Sequence, residues 1–351
     1  MSISCVLGVP GVPGLPAVPG VPAVSAVPAA PESAICAEGL GKLYGDTEAV
    51  VGLDLDVPEG RIFGFVGPNG AGKSTTIGML CTLVRPTLGR ARVAGCDVGT
   101  QPDEVRRRIG LIFQESTLDV DLTAEENMRF QADLFGVPRR RSRVLIPELL
   151  ELVDLAQRRD SPVRTLSGGM RRRLEIARGL LHAPRVLFLD EPTTGLDPQT
   201  RAAVWEHLHR LRREQGITVF LTTHHLEEAE HCDLMAIIDA GELVAEGTPA
   251  GLKAVVGADL VTLHTGDDAR AARAVRERFG LAVQTHERGL RLKVADGAAF
   301  VPRLCAELGV PVRSVRVTPP SLDDVFLHYT GRTIREADGG PTPPPGLGPR
   351  R

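Results

Sequence analysis

The chain has 351 residues, a length that predicts about two domains of ordinary size. It is 42% hydrophobic, 24% charged and 4% aromatic, so it can bury a substantial core. Its 41 basic and 44 acidic residues argue against a nucleic-acid surface over the whole chain, and its 6 scattered cysteines, without a C-x-x-C pair, argue against a disulfide or zinc framework.

Both ends of the chain are rich in proline and glycine. The segment 1–33 repeats the pattern VPGVPG, and it has no charged or aromatic residue before position 32. Because each proline removes a backbone donor and restricts φ, we expect a disordered N-terminal tail. Residues 339–351 have a similar composition, and we predict a flexible C-terminal tail over 331–351. A role for the N-terminal tail in binding a partner stays open.

Between the tails, short apolar runs alternate with longer helical patterns. This alternation predicts an α/β domain with a largely parallel sheet over residues 34–252. Strands covered by helices are apolar on both faces, and this property is shared by residues 61–66, 185–190, 217–222 and 235–238.

A glycine-rich segment follows the first of these strands. Residues 67–74 read GPNGAGKS, a full match to G-x-x-x-x-G-K-[ST]. Its backbone N–H groups can enclose a polyphosphate, Lys73 can neutralise the β- and γ-phosphates, and the Ser74 hydroxyl can reach Mg²⁺. A chance match in an ordinary turn is disfavoured by the strand before it and the helical pattern over 75–83. The predicted nucleotide contacts are Gly67, Pro68, Asn69, Gly70, Ala71, Gly72, Lys73, Ser74 and Thr75.

A second potential anion site lies further along the chain. Ser167, Gly168 and Gly169 precede an arginine-rich helical pattern. A serine and two glycines at a helix start offer a hydroxyl, backbone N–H groups and the positive end of the helix dipole. Since the chain already contains one phosphate loop, this segment predicts a second contact to the same nucleotide, made across a symmetric dimer.

Three polar residues follow predicted buried strands. Asp190 ends one strand and can organise Mg²⁺ through water, and Glu191 can polarise the water that attacks the γ-phosphate. His224 follows another strand, at the edge where ligands bind in open α/β sheets, and it can contact the γ-phosphate. The plainer alternatives, a surface Asp-Glu pair and an inert histidine, are disfavoured by the nearby phosphate loop. We expect His225 to be structural or solvent-facing.

The pattern changes to a smaller unit after residue 257. Strand patterns occur at 259–263, 281–285, 290–294 and 312–317, and helical patterns occur at 267–279 and around 300–308. Alternation in the last strand slips at Ser314. The order β-α-β-β-α-β predicts a small α+β accessory domain over residues 257–330, of the ferredoxin-like split βαβ type.

Arginine runs occur at 106–108, 139–143 and 171–173. They are mixed with acidic residues in a chain of net negative charge. We therefore predict solvated helix faces or contacts within a dimer, and we expect no binding of nucleic acid.

Over residues 34–250, these motifs resemble the ATP-binding subunit of an ABC transporter. The resemblance implies a P-loop NTPase fold of the ABC ATPase type with a helical subdomain over about 115–180. It further implies an adenine-stacking role for Tyr44, a lid role for Gln114 in sensing Mg²⁺ and the membrane partner, and a dimer-seam position for Asp197. In the same family, 167–169 is the signature that binds the opposite subunit's ATP.

The signature departs from the family pattern at one position. Met170 stands where glutamine is usual. Methionine cannot donate a hydrogen bond, so a contact made by the glutamine side chain is not available here. The backbone donors of the signature are unaffected.

The resemblance implies an ATPase with ATP and Mg²⁺ as cofactors. Its catalytic residues would be Glu191, His224 and Gln114, and its metal site would involve Ser74, Gln114 and Asp190. The subunit would act as a homodimer, or paired with a second ATPase subunit, at the cytoplasmic face of the cell membrane. Since the sequence has no apolar run of the roughly 20 residues that a spanning helix needs, the transmembrane permease would be a separate polypeptide.

Two further segments resemble the daunorubicin-resistance type of bacterial exporter ATPase. They read TTHHLEEAE at 222–230 and SLDDVFLHYTG at 321–331. This resemblance implies export of a drug-like or antibiotic compound. The alternative is a soluble ABC-type ATPase acting on ribosomes or DNA, but such proteins usually carry paired cassettes or a long coiled-coil insertion. A regulatory GTPase is disfavoured because the chain lacks an N-K-x-D-type guanine motif.

Overall fold

A computed structural model of the protein describes residues 33–286, 289–334 and 337. The disordered tail predicted for 1–33 lies outside these ranges except for Ser33, and most of the flexible tail predicted for 331–351 lies outside them as well.

The described strands, in chain order, are β1 (Ser33–Tyr44), β2 (Thr47–Pro58), β3 (Ile62–Val66), β4 (Leu88–Val93), β5 (Cys96–Asp97), β6 (Ile109–Ile112), β7 (Val186–Asp190), β8 (Thr218–Thr223), β9 (Leu234–Asp239), β10 (Glu242–Gly247), β11 (Asp259–Thr265), β12 (Gln284–His286), β13 (Gly289–Val294) and β14 (Val312–Thr318). The described helices are α1 (Lys73–Leu80), α2 (Pro102–Arg108), α3 (Ala124–Leu134), α4 (Arg139–Leu152), α5 (Gly168–Gly179), α6 (Pro198–Gln215), α7 (Leu226–Ala229), α8 (Pro249–Val256), α9 (Asp268–Phe279), α10 (Gly297–Glu307) and α11 (Leu322–Thr330). Within the described part of the chain, none of the helices combines the length and the apolar character needed to cross a membrane.

A six-stranded sheet forms the centre of the first domain, in the order β10-β9-β3-β8-β7-β6. All its pairings are parallel except that of β10 with β9 at one edge. The four predicted buried runs are β3, β7, β8 and β9, so the predicted α/β class with a largely parallel sheet is confirmed. Strand β6 was not predicted, because four residues are too few to carry a periodic signal.

This strand order places the predicted polar residues at one edge of the sheet. The carboxyl ends of parallel strands meet at the same edge. The phosphate loop follows β3, Asp190 ends β7, His224 follows β8, and Gln114 lies two residues beyond β6. Residues far apart in sequence therefore become neighbours.

A second, antiparallel sheet covers one face of the central sheet, in the order β2-β1-β4-β5. Its Ile35 and Leu53 share a core cluster with Phe63 and Phe220 of the central sheet, whose rings stack at 5.5 Å. This sheet was not predicted from the sequence. Strands β1 and β2 pair with several register shifts, which interrupt the simple alternation that identifies a strand.

Three helices, α3 to α5, lie between β6 and β7 and form the helical subdomain. Helix α3 begins with a capping box in which Thr123 and Glu126 satisfy each other's backbone N–H groups. Met128, Leu150 and Leu174 are fully buried in one core cluster that extends to the central sheet. The subdomain is therefore packed onto the edge where β6 lies.

The C-terminal region forms a third sheet, with order β12-β13-β11-β14 and antiparallel pairing throughout. The elements follow as β11-α9-β12-β13-α10-β14, which confirms the predicted split βαβ arrangement. The slip of alternation at Ser314 has a structural cause. The register of β11 against β14 shifts by one residue between His264 and Thr265, as it does at a β-bulge.

Helix α11 leaves this sheet and returns to the first domain. Its Leu322, Val325 and Phe326 are buried in a cluster with Val66 of β3 and Leu226 of α7. Just beyond the helix, Arg332 binds both carboxylate oxygens of Asp239 at 2.8 and 2.9 Å. Helix α11 thus docks onto the first domain, although its residues were predicted to belong to the accessory domain over 257–330.

Candidate active site

The phosphate loop, residues 67–75, requires glycine at two positions. Gly72 has φ of +106°, and a Cβ there would lie 2.6 Å from the Ala49 carbonyl oxygen. A Cβ on Gly67 would lie 2.2 Å from the Ile238 carbonyl oxygen. Gly72 is also the N-cap of α1, which has no side-chain cap, so the first turn of the helix is suited to an anion.

The remaining residues of the loop divide by exposure. The exposed ones are Asn69, Gly70 and Ser74, the buried ones are Gly67, Pro68, Ala71 and Lys73, and Gly72 and Thr75 are half-buried. The Ser74 hydroxyl can therefore be reached from solvent at the start of α1, as a group that binds a phosphate-bound metal ion requires.

Lys73 is folded back over its own loop. Its side chain is 5% exposed, and its Nζ donates to the carbonyl oxygens of Gly67 at 2.7 Å and Pro68 at 3.0 Å. The same Nζ lies 3.7 Å from Glu191 Oε1. A fixed ammonium group inside a loop of backbone N–H groups fits the phosphates of a nucleotide.

Glu191 has an unusual backbone conformation. It follows β7 with φ of +45°, a left-handed value that is rare for a residue other than glycine. Its backbone N–H is held by Thr222, through the carbonyl oxygen at 3.2 Å and the hydroxyl at 3.1 Å. Strain of this kind persists where the surroundings hold it, and it occurs often at functional sites.

The Glu191 carboxylate is surrounded by Lys73, Gln114 and His224 from three other loops and by Thr194 from its own loop. Gln114 Nε2 donates to Oε2 at 3.2 Å, and Thr194 Oγ1 donates to the same oxygen at 3.1 Å. His224 Nδ1 lies 3.1 Å from Oε1, so it donates to Glu191 when Nδ1 carries the proton. Lys73, Gln114, Glu191 and His224, which were predicted separately, therefore meet at one carboxylate.

The electrostatics of this group favour an ionised Glu191. Burial alone would raise the pKa of its carboxyl. The hydrogen bond and charge of His224, the charge of Lys73 and the hydrogen bond from Thr194 outweigh burial, and they hold the pKa below its ordinary value. At neutral pH the carboxylate can therefore accept a hydrogen bond from water.

The residues predicted to hold Mg²⁺ fit an ion that is bound mainly through phosphate. Among the described residues, no group of three or more histidine, cysteine, aspartate or glutamate side chains could hold a metal ion. Mg²⁺ in phosphate sites commonly uses one or two protein oxygens, together with water and phosphate. Asp190 is oriented for such a role, since Thr222 Oγ1 donates to its Oδ1 at 2.5 Å.

The signature residues 167–169 lie at a different place. Ser167 is the N-cap of α5, and its hydroxyl accepts from the Met170 N–H at 3.3 Å. Helix α5 packs beside β6. Strand β6 is three strand positions away from β3 and its phosphate loop, a distance of about 14 Å across the sheet. Ser167 and Gly168 are exposed, so they can contact a ligand held by another subunit.

Gly169 is buried, and Met170 is half-buried against the core. Met170 packs against the core cluster that contains Leu174, and so does the partly buried Leu196. A Cβ on Gly169 would lie 2.0 Å from Thr200 Cγ2 on α6. The departure from glutamine at position 170 therefore places an apolar side chain at an apolar site.

Tyr44 and Asp197 lie outside the Glu191 group. Tyr44 is 42% exposed at the end of β1, with Lys42 Nζ 5.0 Å from its ring centroid, so one ring face remains a platform for a base. Asp197 caps α6 by accepting from the N–H groups of Gln199 and Thr200 at 3.1 and 3.0 Å. The exposed carboxylate thus fixes the turn that carries it.

His225 is half-buried beside His224, with ring centroids 4.0 Å apart. Burial and the charge of His224 lower the pKa of His225. The histidine is therefore held neutral at physiological pH.

Several residues around the site were not predicted from sequence. Thr194 and Thr222 hold Glu191, and Arg172 is bound to the backbone on both sides of it. The prediction of a solvated or dimer-facing arginine run is wrong for Arg172, which is 6% exposed and fully engaged within the chain. Threonine and arginine occur at many positions in the chain, and only the folded structure shows which of them contact Glu191 or its backbone.

Comparison with protein families gives two matches along the chain. Residues 50–194 match the family described as ABC transporter. Residues 247–330 match the family described as ATP-binding protein DrrA1-3-like, C-terminal domain. The second match spans the ferredoxin-like sheet and helix α11.

Individual relatives agree with these matches. The chain is 44% identical over 314 residues to the daunorubicin resistance ATP-binding protein DrrA3 of Streptomyces coeruleorubidus, covering 87% of this chain and 99% of the relative. It is 40% identical to the Nod factor export ATP-binding protein I of Ralstonia nicotianae, covering 86% of this chain and 95% of the relative.

Solved structures show the same fold for the first domain. The structure of cbiO1 from Clostridium perfringens, part of an ABC transporter complex, superposes with a TM-score of 0.60 at 26% identity, covering 71% of this chain and 96% of that one. A dimeric post-hydrolysis ATP-binding cassette bound to ADP and Pi superposes with a TM-score of 0.55 at 29% identity, covering 61% of this chain and 98% of that one. The predicted ABC ATPase fold is thereby confirmed.

Proposed function

This chain belongs to the ATP-binding subunits of ABC transporters, and from that premise we propose how its own residues bind and hydrolyse ATP to drive export through a separate permease. The chain is an ATPase. The observation that carries the proposal is the convergence of Lys73, Gln114 and His224 on the ionised Glu191 carboxylate.

Phosphoryl transfer to water requires mainly positioning and charge neutralisation. Lys73 would bind the β- and γ-phosphates, which compete with two backbone carbonyls for its Nζ. Tyr44 would stack on the adenine ring, and the N–H groups of 67–75 would enclose the phosphates. Mg²⁺, when bound, supplies positive charge at the transferred phosphoryl group, and Ser74, Asp190 and Gln114 would hold it.

Glu191 would orient the attacking water and accept its proton. His224 lies against the same carboxylate and can contact the γ-phosphate with its other ring nitrogen, Nε2. Because Gln114 also binds Glu191, a movement of Gln114 changes the position of the catalytic carboxylate. Gln114 would therefore link the membrane partner to the hydrolytic step.

ATP would be shared between two subunits. Ser167, Gly168 and Gly169 begin a helix that the sheet order places away from the phosphate loop of the same chain. A two-fold arrangement brings this helix start to the partner's γ-phosphate, with Asp197 near the seam. The likeness to a dimeric cassette bound to ADP and Pi supports this arrangement, for a homodimer or for a pair with another ATPase subunit.

The export function follows from the relatives. Their names include daunorubicin resistance, Nod factor export and linearmycin resistance. The names refer to three different compounds, and we propose that a drug-like or antibiotic compound would contact the permease and not this subunit. We place the subunit at the cytoplasmic face of the cell membrane. The alternative of action on ribosomes or DNA loses support, since the segment from Gln114 to Ser167 holds only α3, α4 and short turns.

Replacement of Glu191 by glutamine tests the proposal. Removing a general base costs about 10²- to 10⁴-fold in rate, so Glu191→Gln should lose hydrolysis by that factor while it binds ATP normally. The uncleaved ATP should hold two subunits together, which size-exclusion chromatography with ATP detects. Glu227→Gln, an exposed glutamate on α7, is the matched control. Rapid hydrolysis by Glu191→Gln without a stable dimer would contradict the assigned role.

A further inference from the structure

Arg172 lies in the second turn of α5 and is buried, with 6% of its surface exposed. Its guanidinium group donates to three backbone carbonyls from two separate loops. The bonds reach Pro192 O at 2.9 Å, Asp190 O at 3.1 Å and Phe113 O at 2.6 Å. One side chain therefore joins α5 to both loops.

The three carbonyls belong to residues next to Glu191 and Gln114 in the sequence. Asp190 and Pro192 flank Glu191 on both sides, and Phe113 precedes Gln114. The bond from Gln114 to Glu191 is the contact between the two loops that Arg172 joins. Arg172 thus fixes the backbone that positions both members of that bond.

Glu175 completes the arrangement one turn along α5. Its Oε2 accepts from Arg172 at 3.0 Å, and its Oε1 accepts from the Thr117 N–H at 3.0 Å. The side chains of both partners are buried, at 7% and 4% exposed. The pair therefore holds the segment 113–117 at both of its ends, with Gln114 between them.

A buried ion pair contributes little net stability, because desolvation of the two charges offsets their attraction. The Arg172–Glu175 pair is better explained by the backbone segments that it holds in place. The left-handed φ of Glu191 needs a surrounding structure that holds it. The planar fork of arginine can bind several carbonyls in fixed geometry, which the single ammonium of lysine cannot do.

We propose that Arg172 is a positioning residue that couples the signature helix α5 to the Gln114–Glu191 pair. The inference rests on the proposed function, in which α5 contacts ATP held by the partner while Glu191 acts on ATP held by its own chain. A shift of α5 on the partner's nucleotide then changes the catalytic geometry at the chain's own nucleotide. The two ATP sites of the dimer are coupled through this side chain.

Four variants of the full chain separate positioning from folding. Arg172→Gln removes the fork, and Arg172→Lys keeps the charge without it. The double variant Arg172→Met with Glu175→Gln removes both charges, while the glutamine can still accept from Thr117. Arg173→Gln is the matched control, since Arg173 Nη1 binds Val153 O in the helical subdomain and not the catalytic loops.

Kinetics of ATP hydrolysis give the first readout. A misplacement of about 1 Å can cost about 100-fold in rate, so kcat should fall by up to that factor in Arg172→Gln and Arg172→Lys, with KM for ATP within about twofold. The Hill coefficient, at most about 2 for two sites, should fall to about 1. The double variant should melt near the wild-type temperature and still show the low kcat. Recovery of kcat in the double variant, or an equal loss in Arg173→Gln, would overturn the proposal.

Amide hydrogen exchange gives a second readout that does not depend on turnover. Without nucleotide, Arg172→Gln should exchange faster than wild type by about tenfold or more in both 113–117 and 190–194, while Arg173→Gln should not. Unchanged exchange in either segment would refute the positioning role even if the protein hydrolyses ATP. Conversely, the proposed function would fail through the Glu191→Gln experiment, whatever the exchange data show.

Discussion

Phe326 provides the sharpest test of how the C-terminal region is attached. It is fully buried and shares a core cluster with Val66, which ends β3, and with Leu226, which lies two residues beyond His224. Truncation of a buried phenylalanine to alanine costs about 3–5 kcal/mol, because apolar contacts are lost and a cavity remains. For a chain of this size, each kcal/mol lowers the melting temperature by about 2–4 °C. Phe326→Ala should therefore melt roughly 6–20 °C lower than the wild type.

Circular dichroism of the full chain measures this shift. Leu327→Ala is the matched control, because its neighbouring apolar side chain is 43% exposed and its loss should cost about 1 kcal/mol or less. The same melt with saturating ATP reports whether the phosphate loop above the cluster still binds. A Phe326→Ala protein that melts within about 2 °C of the Leu327→Ala control would show that α11 does not stabilise the first domain, and the docking argument would be refuted.

Three further predictions concern the site and its support. Lys73→Ala should lose ATP affinity, measured by titration, since the buried ammonium would no longer face the phosphates; unchanged binding would mean that the loop has been misinterpreted. Tyr44→Ala should weaken ATP binding by about 1–3 kcal/mol. Equal weakening for a ribose triphosphate that lacks the base would argue against stacking. Arg159 and Arg129 hold the pKa of Glu125 below its ordinary value of 4.5 despite burial. The stability advantage of wild type over Glu125→Gln should therefore be complete above pH 4.5 and decline only as the pH falls further; a decline already at pH 6 would contradict it.

Ser167 and Asp197 each have a structural role beside the contact with ATP or with the second subunit that we propose for them. Each caps the helix that it precedes. Removing either side chain would therefore disturb a helix start as well as the ATP or dimer contact that we propose for it. Glu191 and Arg172 cap no helix, so a loss of activity in variants at these positions is easier to separate from a disturbed helix start.

Much of this protein could be predicted from its sequence because the relevant signals are local. The phosphate loop, the buried strands β3, β7, β8 and β9, and the elements of the ferredoxin-like sheet each occupy a continuous segment with its own periodicity or glycine pattern. Even the slip at Ser314 was visible as a break in alternation. Irregular pairing hid β1 and β2, and short length hid β6.

The tertiary structure decided which residues act together. Gln114 and His224 reach Glu191 only because the strand order brings the ends of separate strands to one edge. Nothing in an arginine run distinguishes the buried Arg172 from its half-buried neighbours before α5 is packed against those loops. A local motif therefore specified the chemistry, whereas long-range packing determined the geometry that the chemistry needs, since contacts between distant segments leave no periodic pattern in either one.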